Sequence, residues 1–198
     1  MPGATGGGAR SVTLLDYGMG NLRNVERALA TIGLDVVRAT VPGEGPVILP
    51  GVGAFAEATR RLHASGAWDE LLRVIDAGRP VLGICLGMQL LFESSTEHGE
   101  NPGLALLRGR VVSLGEVGHP PTIPNMGWHK LEGLQDRFTY FAHSYGVATS
   151  PDATAWVDHG GRWVAAARRD NVSGYQFHPE KSGRDGLDML REWVETSW

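Results

Sequence analysis

The sequence predicts an α/β protein: a mostly parallel central sheet flanked by helices, with antiparallel strands added in the second half. Three observations predict it. Through residue 93, short apolar runs alternate with stretches of helical spacing, the pattern of βαβ units. Beyond residue 109, the runs are short and separated by glycine- and proline-rich turns, as in antiparallel pieces. The 198 residues, 42% apolar and 20% charged, suit one domain with a full hydrophobic core.

Residues 1–10 are glycine-rich and lack an apolar core. They are expected to be a disordered lead-in rather than a signal peptide, leaving 11–198 as a single domain. A first strand is predicted over 11–15, ending at Asp16. The loop 17–21 follows, with Asn21 as a helix N-cap. Leu22, Val25, Leu29 and Ile32 recur at helical spacing, and Gly33 closes that helix. A second strand is expected over 35–38, a turn over 41–45, and a third strand over 47–49 running into Pro50-Gly51-Val52-Gly53. Helices over 55–64 and 68–77 are separated by Ser65-Gly66. A strand over 81–84 then meets a helix that runs to Glu93. In the second half, strands are predicted over 110–114, 128–131, 139–142, 154–158, 163–168 and 172–177. A closing helix over 186–196 places Leu187, Leu190 and Val194 on one face.

Composition narrows the function. A formal net charge of -4 argues against a general nucleic-acid binder. One cysteine permits no internal disulfide and fits a reducing compartment, so the cytoplasm is expected. No apolar stretch reaches the roughly 18 residues of a membrane span. No histidine pair has the spacing of a zinc site, so no metal is predicted.

The chemistry gathers at Cys85, where the strand pattern of 81–84 gives way to a helical one. Gly83 and Gly87 flank it in Gly-x-Cys-x-Gly, the cysteine form of a nucleophile elbow. Side chains at those glycines would collide with the neighbouring strand or helix. A helix N-terminus beneath Cys85 favours thiolate over thiol. Taken alone, the motif fits a nucleophile and a buried structural cysteine equally. The Gly51 loop and Cys85 both fall at carboxyl ends of predicted parallel strands, where such sheets put their ligands. That coincidence favours the nucleophile.

The second segment is Gln176-Phe177-His178-Pro179-Glu180. Pro179 forces His178 out of helical conformation. In an extended segment, His178 and Glu180 would project to the same side. A carboxylate on one imidazole nitrogen then frees the other to face a thiol. Cys85, His178 and Glu180 supply a nucleophile, a base and its orienter.

Gly83-Ile84-Cys85-Leu86-Gly87-Met88-Gln89 and Gln176-Phe177-His178-Pro179-Glu180 resemble the two signatures of the class I triad glutamine amidotransferases. With Leu49-Pro50-Gly51-Val52-Gly53 they cover the whole domain in order. Asp16-Tyr17-Gly18-Met19-Gly20-Asn21-Leu22, Pro124-Asn125-Met126-Gly127-Trp128, Tyr140-Phe141-Ala142-His143-Ser144-Tyr145 and His178-Pro179-Glu180-Lys181-Ser182 look like the glutaminase subunits of imidazole glycerol phosphate synthases. The resemblance implies a flavodoxin-like class I glutamine amidotransferase fold and a role in histidine biosynthesis. It implies glutamine as substrate, no cofactor, and a separate (β/α)8-barrel cyclase subunit as heterodimer partner that consumes the ammonia.

The resemblance also assigns residues. Leu86 and Val52 N–H groups are implied as the oxyanion hole. Gln89 and the backbone at Gly53, Ser144 and Tyr145 are implied to hold glutamine. Asn125, Trp128, Tyr140 and Lys181 are implied at the partner interface, Trp128 having a buried core aromatic as its alternative. The chain departs from the family at Asn125, where His or Gln is usual, and at His129, where Asn is usual. The glutaminase subunits of anthranilate and aminodeoxychorismate synthases, a stand-alone γ-glutamyl hydrolase, and a binding or regulatory subunit that kept the fold without turnover are the competing readings; the intact Cys85, His178 and Glu180 argue against the last.

Overall fold

The computed structural model describes residues 10–135 and 137–197. The expected lead-in over 1–10 falls almost wholly outside the described residues. In chain order the elements are β1 (Ser11–Leu15), α1 (Leu22–Thr31), β2 (Asp35–Ala39), β3 (Val47–Leu49), α2 (Phe55–Ser65) and α3 (Ala67–Asp76). Next come β4 (Val81–Ile84), α4 (Leu86–Leu91), β5 (Ser94–Ser95), β6 (Asn101–Pro102), β7 (Arg110–Ser113), β8 (Asn125–Lys130), β9 (Phe138–His143) and β10 (Tyr145–Val147). The chain closes with β11 (Ala153–Asp158), β12 (Arg162–Arg169), β13 (Val172–Tyr175), a 3-10 turn (Pro179–Lys181) and α5 (Gly183–Glu195).

Seven strands form the main sheet in the order β11-β12-β13-β4-β3-β1-β2. The run from β13 to β2 is parallel; β11 and β12 join antiparallel at one edge. Smaller sheets are β10-β7-β5-β6 and the β8-β9 hairpin. The mixed α/β architecture is therefore as predicted.

Alternation along the strands builds two cores. Val12, Leu14, Ile48, Leu82 and Ile84 pack with Val25 and Leu29 of α1 and with Leu190 and Trp193 of α5. Leu15, Val47, Leu49 and Val81 face the other way, toward Phe55, Leu62, Leu71 and Val74 of α2 and α3. Both sheet faces are thus covered, as a parallel sheet requires. Among the described residues, no helix is long and apolar enough to cross a membrane.

Local chemistry explains most boundaries. Gly33 takes φ 86° after α1, and its N–H donates to the Ala30 carbonyl while Leu34 N–H reaches Leu29. Gly66, at φ 75°, both ends α2 and begins α3. Four expectations change here, the first being β8, which begins at Asn125 rather than at 128. Asn21 stands at the N-cap of α1, but its side chain makes no cap hydrogen bond; only its carbonyl accepts, from Asn24 and Val25. The last strand ends at Tyr175 rather than 177, because the chain leaves the ladder toward the 3-10 turn. The closing helix starts at Gly183, three residues early, with Gly186 N–H donating to the Ser182 carbonyl. The short β5, β6 and β10 carry too few residues to show a period and were not predicted.

Candidate active site

Three adjacent parallel strands, β3, β4 and β13, end together: Leu49 pairs with Gly83 and Tyr175 with Ile84. The segments that leave them carry Gly51, Cys85 and His178. Their meeting is a consequence of sheet order, since 93 residues of sequence separate Cys85 from His178.

Cys85 sits between β4 and α4 at φ 55°, ψ -110°. Positive φ at a non-glycine residue stores strain, on the order of 1–3 kcal/mol. The surroundings enforce it: Cys85 N–H donates to the Tyr175 carbonyl at 2.7 Å, and Gln89 N–H to the Cys85 carbonyl at 3.1 Å. The flanking glycines act as predicted. A Cβ on Gly83 would lie 2.6 Å from the Gly87 carbonyl oxygen, and one on Gly87 would lie 1.9 Å from that of Leu49. α4 spans only six residues rather than running to Glu93.

His178 Nδ1 lies 2.8 Å from Glu180 Oε1, and both side chains are buried. A fully extended segment would set the two side chains side by side. The structure joins them differently: His178 is extended (φ -99°, ψ 94°), but Glu180 lies in the 3-10 turn, where Lys181 N–H donates to the His178 carbonyl. Burial works against charge on His178, but hydrogen bonds to Cys85 and Glu180, and their negative charge, hold its pKa up at about 9. Ser182, which sequence reasoning left without a role, anchors the segment. Its hydroxyl donates to the His178 carbonyl at 2.6 Å and accepts from Tyr140 N–H at 2.9 Å.

A cleft of about 230 Å³ opens over Cys85, lined by Val52, Gly53, Leu86, Gln89, Ser144 and Tyr145 among others. Every residue assigned by resemblance to the oxyanion hole or to glutamine therefore borders one space. The Gln89 amide is buried and donates to the Tyr145 carbonyl at 2.8 Å and to Gln176 Oε1 at 3.0 Å. Leu86 N–H donates to the Gly51 carbonyl at 3.3 Å, so in this conformation one expected oxyanion donor is taken. The peptide is trans, so a carbonyl turned toward Leu86 turns the Val52 N–H away. Tyr17 braces the loop: its hydroxyl donates to the Pro50 carbonyl at 2.7 Å. Glu97, from outside any quoted motif, lines the cleft and accepts from Phe55 N–H at the start of α2, at 2.7 Å.

The β8-β9 hairpin forms one wall. Its outward pairs are Met126 with Ala142, Trp128 with Tyr140, and Lys130 with Phe138. Trp128 is 54% exposed, which removes the core-aromatic alternative, and its ring meets Tyr140 edge-on at 6.1 Å. Lys181 Nζ lies over the Tyr140 ring at 5.7 Å, within cation–π range. Met126 and Phe138 are also exposed and extend this apolar face; strand alternation with Trp128 would have found Met126. Asn125 is a correction. Expected at the partner surface, it is fully buried, because the pleat turns it inward with its partner His143. Its Nδ2 lies 3.2 Å from His143 Nε2. Burial drives the His143 pKa down to about 4, keeping the ring neutral. The other departure, His129, packs against Phe141 and His159.

Residues 13–196 match the family described as glutamine amidotransferase class-I. The chain is 44% identical over 194 residues to imidazole glycerol phosphate synthase subunit HisH of Exiguobacterium sibiricum, covering 94% of this chain and 95% of that one. It is 42% identical to the subunit of the same name from Aquifex aeolicus, covering 91% and 94%. A match at 39% identity to imidazole glycerol phosphate synthase hisHF, chloroplastic, of Arabidopsis thaliana takes in 92% of this chain but 34% of that longer protein. A solved glutamine amidotransferase structure superposes with a TM-score of 0.76 at 20% identity, covering 94% of this chain and 98% of that one. At such identity the likeness speaks to the fold alone.

Proposed function

The chain belongs to the class-I glutamine amidotransferase family, and from that premise and the geometry of the cleft we infer how it works. It is a glutaminase, the HisH-type subunit of imidazole glycerol phosphate synthase, serving histidine biosynthesis. The observation that carries the mechanism is the strained Cys85, hydrogen-bonded to the buried His178–Glu180 pair and lining a cleft of about 230 Å³.

Cys85 attacks the side-chain amide carbon of glutamine as a thiolate. The thiol proton resides on His178, whose raised pKa suits an imidazolium, and passes to the departing ammonia. Water, deprotonated by the same imidazole, then releases glutamate from the thioester. Glu180 holds the ring through Nδ1 and stabilises its positive charge. Leu86 and Val52 N–H groups receive the tetrahedral oxyanion once the Gly51–Val52 peptide has turned over. Gln89 and the backbone at Gly53, Ser144 and Tyr145 hold the amino-acid end.

The ammonia goes to a cyclase subunit, a (β/α)8 barrel. We place its docking face on the outward side of the β8-β9 hairpin, at Trp128, Tyr140 and Lys181, with Met126 and Phe138 added and Asn125 removed. The fused Arabidopsis relative supports the pairing, because there a HisH-like segment and further sequence share one chain. We place the pair in the cytoplasm, the setting of the biosynthetic role. The test is glutamine hydrolysis and ammonium-supported cyclase product formation, each measured with and without the cyclase subunit. Ammonium-supported synthesis that needs no partner, or glutamine left intact in the complex, would reject this reading.

A further inference from the structure

Gln176 belongs to a quoted motif yet received no role. It is 1% exposed and lies between Gln89 and the nucleophile. Gln176 Oε1 accepts from Gln89 Nε2 at 3.0 Å, and Gln176 Nε2 lies 3.8 Å from Cys85 Sγ. Sequence period alone could have flagged it, since it stands two residues before His178.

The polarity of this chain of amides is set at its far end. The Tyr145 carbonyl oxygen can only accept, so the Gln89 atom 2.8 Å away must be the nitrogen. That same nitrogen faces Gln176 and requires an oxygen there. Gln176 is therefore left to present its N–H to sulfur, whichever way an isolated amide might have turned. The anchoring carbonyl is itself held twice, since His143 Nδ1 also meets it at 2.8 Å.

Beside the His178 imidazole, which also bonds the sulfur, the remaining neighbours make this neutral donor count. The Ala142 carbonyl, 3.9 Å from Sγ, can accept from a thiol but offers nothing to a thiolate. Leu86 N–H is engaged with Gly51. An N–H bonds more strongly to an anionic acceptor than to a neutral one.

We propose that Gln176 is the neutral donor that holds and aims the Cys85 thiolate, with Gln89 and the Tyr145 carbonyl fixing its direction. The proposal deepens the glutaminase reading and rests on it. Its test needs no glutamine. Cys85 is the only cysteine of the chain, so the rate of alkylation by iodoacetamide, followed by intact mass across pH, reports this thiol alone. Gln176→Met removes both amide groups; Gln176→Glu keeps an acceptor for Gln89 but gives sulfur no neutral donor. Both should move the alkylation midpoint to higher pH and slow the reaction at pH values below that midpoint by about tenfold, the thiolate fraction lost per pKa unit. Both should lower kcat for glutamine more than they raise KM. Both should leave ammonium-supported synthesis by the complex intact, because that chemistry lies on the cyclase subunit; wild-type circular dichroism and co-elution with the cyclase subunit certify the fold. Should either variant fail to fold, Gln176→Asn keeps a polar group in the buried site while withdrawing the nitrogen from sulfur, and the same shift is expected. An unchanged alkylation profile in any folded variant overturns the proposal. Failure of the glutaminase reading would show separately, as absent glutamine turnover by the unaltered complex.

Discussion

The backbone N–H of Leu86 donates to the carbonyl oxygen of Gly51, 3.3 Å away. The carbonyl thus stands where a tetrahedral oxyanion would need that N–H, and the Val52 N–H points elsewhere. Removing one oxyanion donor costs on the order of 10²–10³ in rate. The isolated chain is expected to hydrolyse glutamine poorly. Binding of the cyclase subunit with its nucleotide substrate is expected to raise the rate by at least that factor, by favouring the turned peptide. Steady-state rates for the chain alone, with partner, and with partner plus ligand decide it; three equal rates would sink the switch.

Cys85→Ala should abolish glutamine hydrolysis and leave the complex able to use added ammonium salt. Parallel loss of both activities in a folded complex would contradict the division of labour.

The His178–Glu180 contact makes a pH prediction. With His178 at about 9, hydrolysis should fall as pH rises through that value, because the imidazolium that protonates ammonia is lost. Glu180→Gln removes a charge that holds the pKa up, so the falling limb should move to lower pH and kcat should drop on the order of 10²-fold. An identical profile would remove Glu180 from the mechanism.

His143 shifts the other way and makes a stability prediction. Its folded pKa of about 4 lies below the ordinary 6.5, so the unfolded chain binds the extra proton first. The stability from its neutral form is fully present above pH 6.5 and drains as pH falls toward 4, on the order of 3 kcal/mol in all. His178 is protonated both folded and unfolded in most of that window, so it adds little slope there. Urea midpoints from pH 7 to 4.5 should fall, and fall less for His143→Gln. Equal slopes would place the acid sensitivity elsewhere.

Gly87→Ala drives a Cβ to 1.9 Å from the Leu49 carbonyl oxygen, and neither backbone can yield cheaply. A destabilisation of about 1–3 kcal/mol is expected, together with loss of glutaminase activity, because α4 and Cys85 must move. Thermal unfolding and glutamine turnover check it; wild-type values for both would mean that the elbow is looser than its geometry.

Much of this was legible along the chain. Alternating periods of two and 3.6 are local properties, so β1, α1, β4 and the α2-α3 pair emerge close to their true limits. Gly83 and Gly87 declare the elbow because only glycine survives that approach. Pro179 announces that His178 leaves helical geometry. What the chain could not state was which segments become neighbours. The strand order β13-β4-β3 brings His178, Cys85 and Gly51 together, and no local pattern encodes it. The pleat that buries Asn125 and exposes Trp128 depends on which face of the β8-β9 hairpin meets the core. The polarity of the Gln89–Gln176 amide chain depends on one backbone carbonyl from β10. The orientation of the Gly51–Val52 peptide is of the same kind: flanking glycines permit both directions, and only the packed neighbours choose one. Propensity and spacing act within a few residues, whereas these features are decided by long-range pairing and burial.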